Sequence, residues 1–294
     1  MLGAIQKIQT QVIKSDQGNK WLLRPRIYNK QITVTGSSAS GTMGIPSDSQ
    51  NGIITISPNQ WQWIKTAFVT SSGTRAVAAS IRNSGSHLPF IMTQNDNTGN
   101  NFQGNFARLD ILSGTGSIPS LLRRYSRILN RNEQVLLSFA DISGYGTSSS
   151  YTLYLSMIGI EYLPFVQNMM SFDTYSDIDD GVIFPAQSVV IAGNGQQTLN
   201  FVVNTVDFMC DRMVFNSTGT CLVTIEYMSI PLTDSPMHSS CLQGEPNVNG
   251  NPAFILPAPF GVIKGGQIQV TIQDISGTNN VVSCGFYGAV LYSK

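Results

Sequence analysis

The sequence contains little charge. Seventeen basic and seventeen acidic residues cancel, and only 12% of the 294 residues are charged, which is about half the usual share for a soluble domain. A chain with so weak a field does not steer nucleic acid or other charged ligands over a distance. Its surfaces can also be buried at low cost, because few charges must be desolvated. The composition therefore favours a protein with many protein neighbours, and it argues against sequence-specific binding of nucleic acid.

Long apolar runs and histidine are also scarce. No run approaches the roughly 18 residues that span a bilayer, and the first residues lack the features of a signal peptide. The two histidines, His87 and His238, have no cysteine or histidine partner at ligand spacing, which disfavours zinc. Neither a G-x-S-x-G elbow nor a glycine-rich phosphate loop is present. We therefore expect no catalytic residues and no enzyme activity.

The cysteines all lie in the second half of the chain, at Cys210, Cys221, Cys241 and Cys284. If the turn at 217–219 closed a tight hairpin, its register would place Cys221 opposite about Val214 and Cys210 opposite about Ile225. These cysteines would then not face each other across the hairpin. We expect buried thiols in a chain that is made inside a cell.

The β pattern dominates the chain after about residue 20. Short runs rich in Val, Ile, Thr, Tyr and Phe alternate with Gly, Asn, Ser and Pro, as in QVLLSFA and QIQVTIQ. Helical periodicity is confined to the first 14 residues. Two loop-rich excursions, 83–120 and 234–259, resist assignment to strands and are expected to carry contacts. The absence of βαβ alternation argues against a nucleotide-binding α/β fold.

Two segments of the first half align with two segments of the second half, in the same order. Residues 49–82 lie over 195–228 without gaps, and NEQVLLSFADISG (132–144) lies over GGQIQVTIQDISG (265–277). In the second pair, Asp-Ile-Ser-Gly is identical, and an aspartate at a strand end can cap the following turn. The two alignments predict an internal duplication.

The size of each half selects among β architectures. Each half offers about 130 to 145 residues and roughly eight strands, which favours a jelly roll over the smaller immunoglobulin-like sandwich. We predict an all-β protein of two tandem jelly-roll β-sandwiches. The predicted divisions are an N-terminal amphipathic arm with a short helix at 1–20, a first jelly roll at 21–165 and a second at 166–294.

With its two rolls, short arm, low charge and Ser/Asn/Gln/Gly-rich loops, the chain resembles the double jelly-roll major capsid proteins of tailless icosahedral viruses. It is most similar to those of small lipid-containing bacteriophages, of the corticovirus-like or Flavobacterium lipid-phage type. The resemblance implies a homotrimer whose six rolls form a pseudo-hexagonal capsomer. It also implies other capsid proteins at the vertices, an internal membrane as partner, and location in a virion assembled in the host cytoplasm.

Three groups of residues are candidate sites. DTYSDIDDG offers a weak Ca²⁺ site at Asp173, Asp177, Asp179 and Asp180, although its spacing misses the EF-hand loop, and a linker with solvated carboxylates is the alternative. A basic segment could contact phosphates or pack at an interface as a helix or turn, through Arg123, Arg124, Arg127 and Arg131. The arm residues expected to face a membrane are Leu2, Ile5, Lys7, Ile8, Lys14 and Lys20, with Arg24 and Arg26 adding to the basic character of that region.

Two other functions compete with the capsid interpretation. A phage spike, fibre or decoration protein is also all-β and oligomeric, but it would be expected to have a distinct shaft or tip. A carbohydrate-binding or glycan-degrading β-sandwich needs an aromatic platform or paired carboxylates, and neither stands out in the sequence.

Overall fold

The structure is a computed structural model of the whole chain. It describes residues 12–14, 20–36, 50–71, 77–83, 107–109, 114–115, 118–119, 127–142, 150–164, 175–183, 186–204, 206–242, 245–246 and 252–293. The regular structure of these residues consists almost wholly of β-strands, so the predicted all-β class is confirmed. No helix among them is long and apolar enough to cross a bilayer.

The strands of the first half form two sheets. They are β1 Val12–Lys14, β2 Lys20–Thr35, β3 Gln50–Thr55, β4 Gln60–Thr70, β5 Val77–Asn83, β6 Ala107–Arg108, β7 Gly114–Thr115, β8 Ile118–Pro119, β9 Arg127–Leu129, β10 Gln134–Asp141 and β11 Ser150–Pro164. The larger sheet has the order β1-β2-β11-β4-β7-β8, with β9 also paired to β4. The smaller sheet has the order β3-β10-β5-β6.

The strands of the second half form two more sheets. They are β12 Tyr175–Ile183, β13 Gln187–Ile191, β14 Gln196–Val202, β15 Asp207–Ser217, β16 Cys221–Tyr227, β17 Ile230–Pro231, β18 Met237–His238, β19 Glu245–Pro246, β20 Pro252–Val262, β21 Gln267–Asp274 and β22 Asn280–Ser293. One sheet has the order β12-β22-β15-β20-β19, with β13 also paired to β22. The other has the order β14-β21-β16-β17, with β18 also paired to β16.

Both halves therefore share one strand order. In the larger sheets, β2-β11-β4-β9 corresponds to β12-β22-β15-β20, and in the smaller sheets β3-β10-β5-β6 corresponds to β14-β21-β16-β17. Among these eight strands of each half, successive strands change sheet except at one step, β5 to β6 and β16 to β17, where both stay in the smaller sheet, and the last strand lies beside the first. The compact units divide the chain slightly differently, because Ile27–Gly159 forms one unit while Met1–Arg26 joins Ile160–Lys294 in the other. The predicted boundaries of the jelly rolls stay a prediction.

Each unit has its own apolar core. In the unit 27–159, Trp61 and Trp63 of β4 are fully buried, and the ring of Trp61 meets Tyr28 edge to face at 5.1 Å. In the other unit, Phe201 and Phe286 come from the two facing sheets and meet edge to face at 5.1 Å. Side chains alternate between core and surface along β10 and β21, as the period of a strand requires.

The register corrects the first sequence alignment. The alignment of β10 with β21 pairs Gln134 with Gln267, and the structure places Thr55 opposite the former and Val202 opposite the latter. Thr55 thus corresponds to Val202, whereas the ungapped alignment had set it over Phe201. The difference matters because Thr55 is exposed and Phe201 is buried, and a slip of one residue exchanges the two faces of a strand.

Several strands contradict the sequence interpretation. The segment 252–259, predicted as part of a loop excursion, begins strand β20, and its prolines had obscured the β pattern. The turn at 217–219 closes no hairpin, because β15 and β16 belong to different sheets, so the register argument about the cysteines had a wrong premise. All four cysteines are nevertheless buried thiols, as expected. Val12–Lys14 is a strand, so the helical prediction is wrong there, and residues 1–11 of the predicted helix lie outside the described residues.

One glycine in each half allows two strands of the larger sheet to approach closely. A Cβ added to Gly159 of β11 would collide with the Gln62 carbonyl, and one added to Gly288 of β22 would collide with the Met209 carbonyl. In both cases the obstacle is the backbone of the neighbouring strand, which cannot rotate away as a side chain can. A side chain at either position therefore forces the two strands apart.

We expect Gly288→Ala to lower the free energy of unfolding by more than about 2 kcal/mol, because the sheet must open at this point. Gly265→Ala is the matched control, since it lies in a turn at φ 81° with no atom within 4 Å of the added Cβ. It should lower the free energy of unfolding by only about 1 kcal/mol, because alanine is strained at a positive φ. Urea unfolding measures both values, and equal losses would refute the close-approach argument.

Candidate functional site

The predicted Ca²⁺ residues do not form a loop. Asp177, Asp179 and Asp180 lie in strand β12, whose backbone pairs with β22 through Asp179 and Val290, among others. These three residues therefore lie in a strand and not in a linker, while the Ca²⁺ site and the solvation of the carboxylates stay predictions. Asp173 lies outside the described residues. Within the described part of the chain, no three His, Cys, Asp or Glu residues group as metal ligands would.

The predicted arginine cluster is divided between a strand and a turn. Arg127 begins β9, with its Cα opposite that of Trp63, and Arg131 is exposed in the turn between β9 and β10. The helix considered for this segment is therefore wrong at 127–129. Arg123 and Arg124 lie outside the described residues. The structure thus tests no phosphate site at these positions.

Arg24 and Arg26, in the basic region after the arm, do not form a surface for lipid. Arg24 is buried, and its guanidinium binds the fully buried Glu161 carboxylate at 2.5 and 3.1 Å. Arg26 is also buried and donates to the carbonyl of Pro231. A buried arginine that is already paired cannot meet a headgroup, so the membrane interpretation is wrong for these two residues. Both arginines anchor the first part of β2, through Glu161 and Pro231.

The other predicted arm residues are only partly described. The Cα atoms of Lys14 and Lys20 lie opposite each other across the β1–β2 pair. Leu2, Ile5, Lys7 and Ile8 lie outside the described residues. The membrane-facing role of these residues stays a prediction.

A buried carboxylate organises one corner of the second sandwich. Asp274, at the end of β21, is 1% exposed and accepts hydrogen bonds from the backbone amides of Asn194 at 2.9 Å and Gly277 at 3.0 Å. It also accepts from the Ser276 hydroxyl at 2.7 Å and the Asn280 amide at 3.2 Å. The predicted capping of the Asp-Ile-Ser-Gly turn is confirmed by the bonds from Ser276 and Gly277.

The same corner reaches a third loop through Asn280. This residue is fully buried, and its side-chain oxygen accepts from the Gly219 amide at 2.8 Å and the Thr218 hydroxyl at 3.2 Å. Asp274 and Asn280 thereby join the 192–195, 218–220 and 275–279 turns. Asn194 and Asn280 were not predicted from the sequence, because nothing near an asparagine in a polar turn identifies its partner in the folded protein.

The electrostatics of the corner favour a permanent anion. Burial by itself would raise the pKa of the Asp274 carboxyl, but the hydrogen bonds from Asn194, Ser276, Asn280 and Gly277 outweigh it, and the pKa lies below its usual value. A carboxylate held this way is a poor proton donor. The corner is therefore suited to fixing loops rather than to acid–base chemistry.

His238 is a second buried ionisable group whose pKa is perturbed. It caps the 3-10 turn Ser239–Cys241 by accepting from the Ser240 amide at 3.2 Å. Burial lowers its pKa to about 4. Burial likewise raises the pKa values of the Cys210, Cys221 and Cys284 thiols, which are therefore weak nucleophiles at neutral pH.

The outer face of the β14-β21-β16 sheet is polar and nearly uncharged. Thr198, Thr271 and Thr224 form one row across the three strands, and the hydroxyls of the first two lie 3.1 Å apart. The next row contains Asn200, Gln269 and Glu226. The face offers hydroxyl and amide groups without a strong field, which suits contact with another neutral protein surface.

One end of the same sandwich exposes large apolar side chains. Val202, Met228, Ile230 and Ile263 are each 40 to 50% exposed. Val202 is in the outward row of Gln267, whereas Ile230 is in the row of Tyr227 and Ile268, which faces the core. The Met228–Ser229 turn was not predicted, because methionine is not one of the residues that mark a hairpin turn.

Comparisons with known proteins leave the family open. No protein-family model matches the chain, and no curated protein matches it. Among solved structures, a cryo-EM structure of T=3 Penaeus vannamei nodavirus is similar with a TM-score of 0.20 and 11% identity, over 90% of each chain. Tripeptidyl peptidase 2 gives a TM-score of 0.22 and 10% identity, over 94% of this chain and 24% of that one.

A third similarity is to the tandem CBM22 domains of Paenibacillus barcinonensis Xyn10C, with a TM-score of 0.19 and 7% identity, over 96% of this chain and 94% of that chain. At these TM-scores none of the three similarities carries an argument about fold or function. The strand order and the surfaces of this chain are therefore the evidence for its function.

We expect Asp274→Asn to lower the free energy of unfolding by about 2 to 4 kcal/mol. The side-chain NH2 of the new asparagine would replace a carboxylate oxygen, so it would face hydrogen-bond donors and could not accept from them. Asp211→Asn is the control, since Asp211 is partly exposed and pairs only with its neighbour Arg212 at 2.9 Å. It should change stability by less than about 0.5 kcal/mol. Similar losses in thermal unfolding would refute the structural role of the corner.

We also expect His238 to make the fold acid-sensitive. Its folded pKa of about 4 lies below the ordinary 6.5, so the unfolded chain binds the proton more readily. The stability it contributes is complete above pH 6.5 and is lost as the pH falls towards 4, by up to about 3 kcal/mol. His238→Asn keeps a capping acceptor but does not titrate. Its unfolding free energy should fall less between pH 7 and pH 4 than that of the parent, and parallel curves would contradict the assignment.

Proposed function

We propose that this chain is a viral structural protein, a capsid protein that assembles with copies of itself. The observation that supports the proposal is the strand order that the two halves share. Eight antiparallel strands in two four-stranded sheets of the orders β2-β11-β4-β9 and β3-β10-β5-β6, with the last strand beside the first, form a jelly roll. We infer that each half is a jelly roll and that the two arose by duplication.

Two such rolls in one chain suit a trimeric building block. Three copies bring six similar rolls around a threefold axis, and this approximates sixfold symmetry. One pseudo-hexagonal capsomer can then meet six neighbours through similar edges. The neutral Thr, Asn and Gln face of the β14-β21-β16 sheet supports this role, because a surface without strong charge can be buried against many neighbours.

The finer features of the proposal come from the sequence resemblance. They are membership in the lipid-containing bacteriophage group, other capsid proteins at the vertices, an internal membrane and assembly in the host cytoplasm. Under this proposal the chain is a component of the virion and not an enzyme. No described feature favours the spike, fibre or glycan-binding alternatives.

The decisive experiment measures the mass and the shape of the purified full-length protein under assembly conditions. We expect a trimer by mass photometry and a pseudo-hexagonal outline by electron microscopy. Because the surfaces carry little charge, the trimer should persist from low salt to about 0.5 M salt, where charge-driven contacts are screened. A monomer at all concentrations, or an elongated fibre, would refute the proposal.

A glycan array provides the matched test of the main rival. Specific binding of a monomer to one class of glycan would favour the carbohydrate-binding function. A trimer that binds no glycan would support the capsid proposal.

A further inference from the structure

One side of strand β14 is an open edge of the second sandwich. Among the described strands, β14 lies at the end of its sheet and pairs with β21 alone, without a bulge over 196–202. Just beyond the two ends of this pairing, the Gly195 carbonyl accepts from the Asp274 amide at 2.8 Å, and the Val203 amide donates to the Gly266 carbonyl at 3.1 Å. Because bonding alternates along an antiparallel pair, the odd-numbered residues of β14 bond to β21. The amides and carbonyls of its even-numbered residues therefore face away from the sheet.

The backbone groups on this outer side are accessible. Among the bonds between described residues, one reaches them, from the Gln187 side-chain amide to the Asn200 carbonyl at 2.5 Å. A carbonyl oxygen has two lone pairs, so even this group can accept again. Gln196 and Asn200 are exposed, and Val202 is 41% exposed. The edge thus presents a row of N–H and C=O groups that a further strand could bind.

Two long strands at other sheet ends carry protective features that β14 lacks. In β12 these are Asp177, Asp179 and Asp180, together with shifts of register against β22. In β20 they are Pro257 and Pro259, with a shift of register against β15. Charges, prolines and bulges at an edge prevent the addition of another strand. β14 has the sequence QQTLNFV, with no charge, no proline and no bulge, so its edge remains open to pairing.

The outer side of β14 is complementary to itself. If two copies run antiparallel with Leu199 opposite Leu199, then Thr198 lies opposite Asn200 and Gln196 lies opposite Val202. These residues are even-numbered, so each such pair exchanges two hydrogen bonds through groups that face outward. The register matches all seven residues of the strand. No like charges come to lie opposite each other, because the strand has none.

We propose that two copies of this chain join by antiparallel pairing of their β14 strands about a two-fold axis at Leu199. A second copy is the occupant because it supplies a strand of the same length, without charge and with its donors opposite acceptors. The contact uses the open edge of both copies, so it closes at two chains and does not extend into a fibre. The inference goes beyond the capsid proposal, which concerns threefold contacts, and does not depend on it.

Two variants of the full-length chain, each with one added cysteine, test the register. Thr198→Cys and Asn200→Cys are purified separately, mixed and oxidised, and the products are mapped by mass spectrometry. The pairing puts positions 198 and 200 opposite each other with Cα atoms about 5.5 Å apart, which a disulfide can bridge. We expect a covalent dimer linked between 198 and 200 in the mixture. Each variant alone should not cross-link, because its two thiols are then offset by two residues along the strands.

The control mixture combines Ser188→Cys with Val190→Cys. Both positions are exposed and lie two residues apart on β13, in the other sheet. The four native thiols are buried and do not compete in either mixture. Random collisions would cross-link both mixtures equally, and this result would overturn the proposal, as would the absence of a disulfide in the β14 mixture. Cross-linking of Thr198→Cys alone would overturn the register at Leu199.

A proline variant tests the backbone pairing independently. Asn200→Pro removes an outward N–H and leaves the bonds to β21 in place, since proline is tolerated at a strand edge. It should weaken self-association by about tenfold or more, because each copy loses a donor at the contact. Asn200→Ala is the matched control, which keeps the N–H and should associate like the parent. Sedimentation velocity over a range of concentrations measures both, after circular dichroism has checked the fold. Equal association of the two variants, or a parent that shows no self-association, would contradict the pairing.

Discussion

The alternation of core-facing and outward-facing side chains along β10 and β21, the central strands of the two smaller sheets, organises the structure. β10 and β21 each have a strand on both sides in the smaller sheet of their half, and every second side chain enters the core. Each neighbour must pair in the one register that puts its own apolar side chains on the same face. The sheet pairs, the buried aromatics and the loop ends all follow from this registration. The outward positions are then available for residues that serve the surface.

The outward positions of the sheets, which do not contribute to the core, show which residue types form the surface. On the β14-β21-β16 sheet they are mostly threonine, glutamine and asparagine, side chains that form hydrogen bonds to one another without a net field. The ion pair with clear structural weight, Arg24 with Glu161, is instead inside the protein. A sheet face of polar groups with few charges can be buried against another surface without the cost of desolvating many charges.

Strands in which apolar and polar residues alternate could be predicted from the sequence, whereas strands without this alternation could not. QVLLSFA and QIQVTIQ have the period of a strand with one buried face, and both were found with nearly correct bounds. β20 contains Pro252, Pro257 and Pro259 and was taken for a loop, although only tertiary pairing shows that prolines are tolerated there. The acidic stretch of β12 was misread for a similar reason, since aspartate is rare in strands.

The candidate sites were less predictable than the fold. The Asp274 cap follows from the local sequence, because its Ser276 and Gly277 partners are two and three residues away. The partners Asn194 and Asn280 lie in two other turns that approach Asp274 only in the folded protein. Their spacing in the sequence does not indicate that these turns meet. Arg24 and Arg26 were misread for the same reason, because Glu161 is 137 residues from Arg24 and Pro231 is 205 residues from Arg26.

These separations have a consequence for the order of synthesis. The carbonyl that receives Arg26 is made 205 residues later, which at five to twenty residues per second is about 10 to 40 s of translation. Throughout that interval Arg26 lacks the carbonyl that it binds in the folded protein, and for most of it Arg24 lacks Glu161, which is made 137 residues after Arg24. The start of β2 can therefore complete its buried contacts only after strands far along the chain have been synthesised.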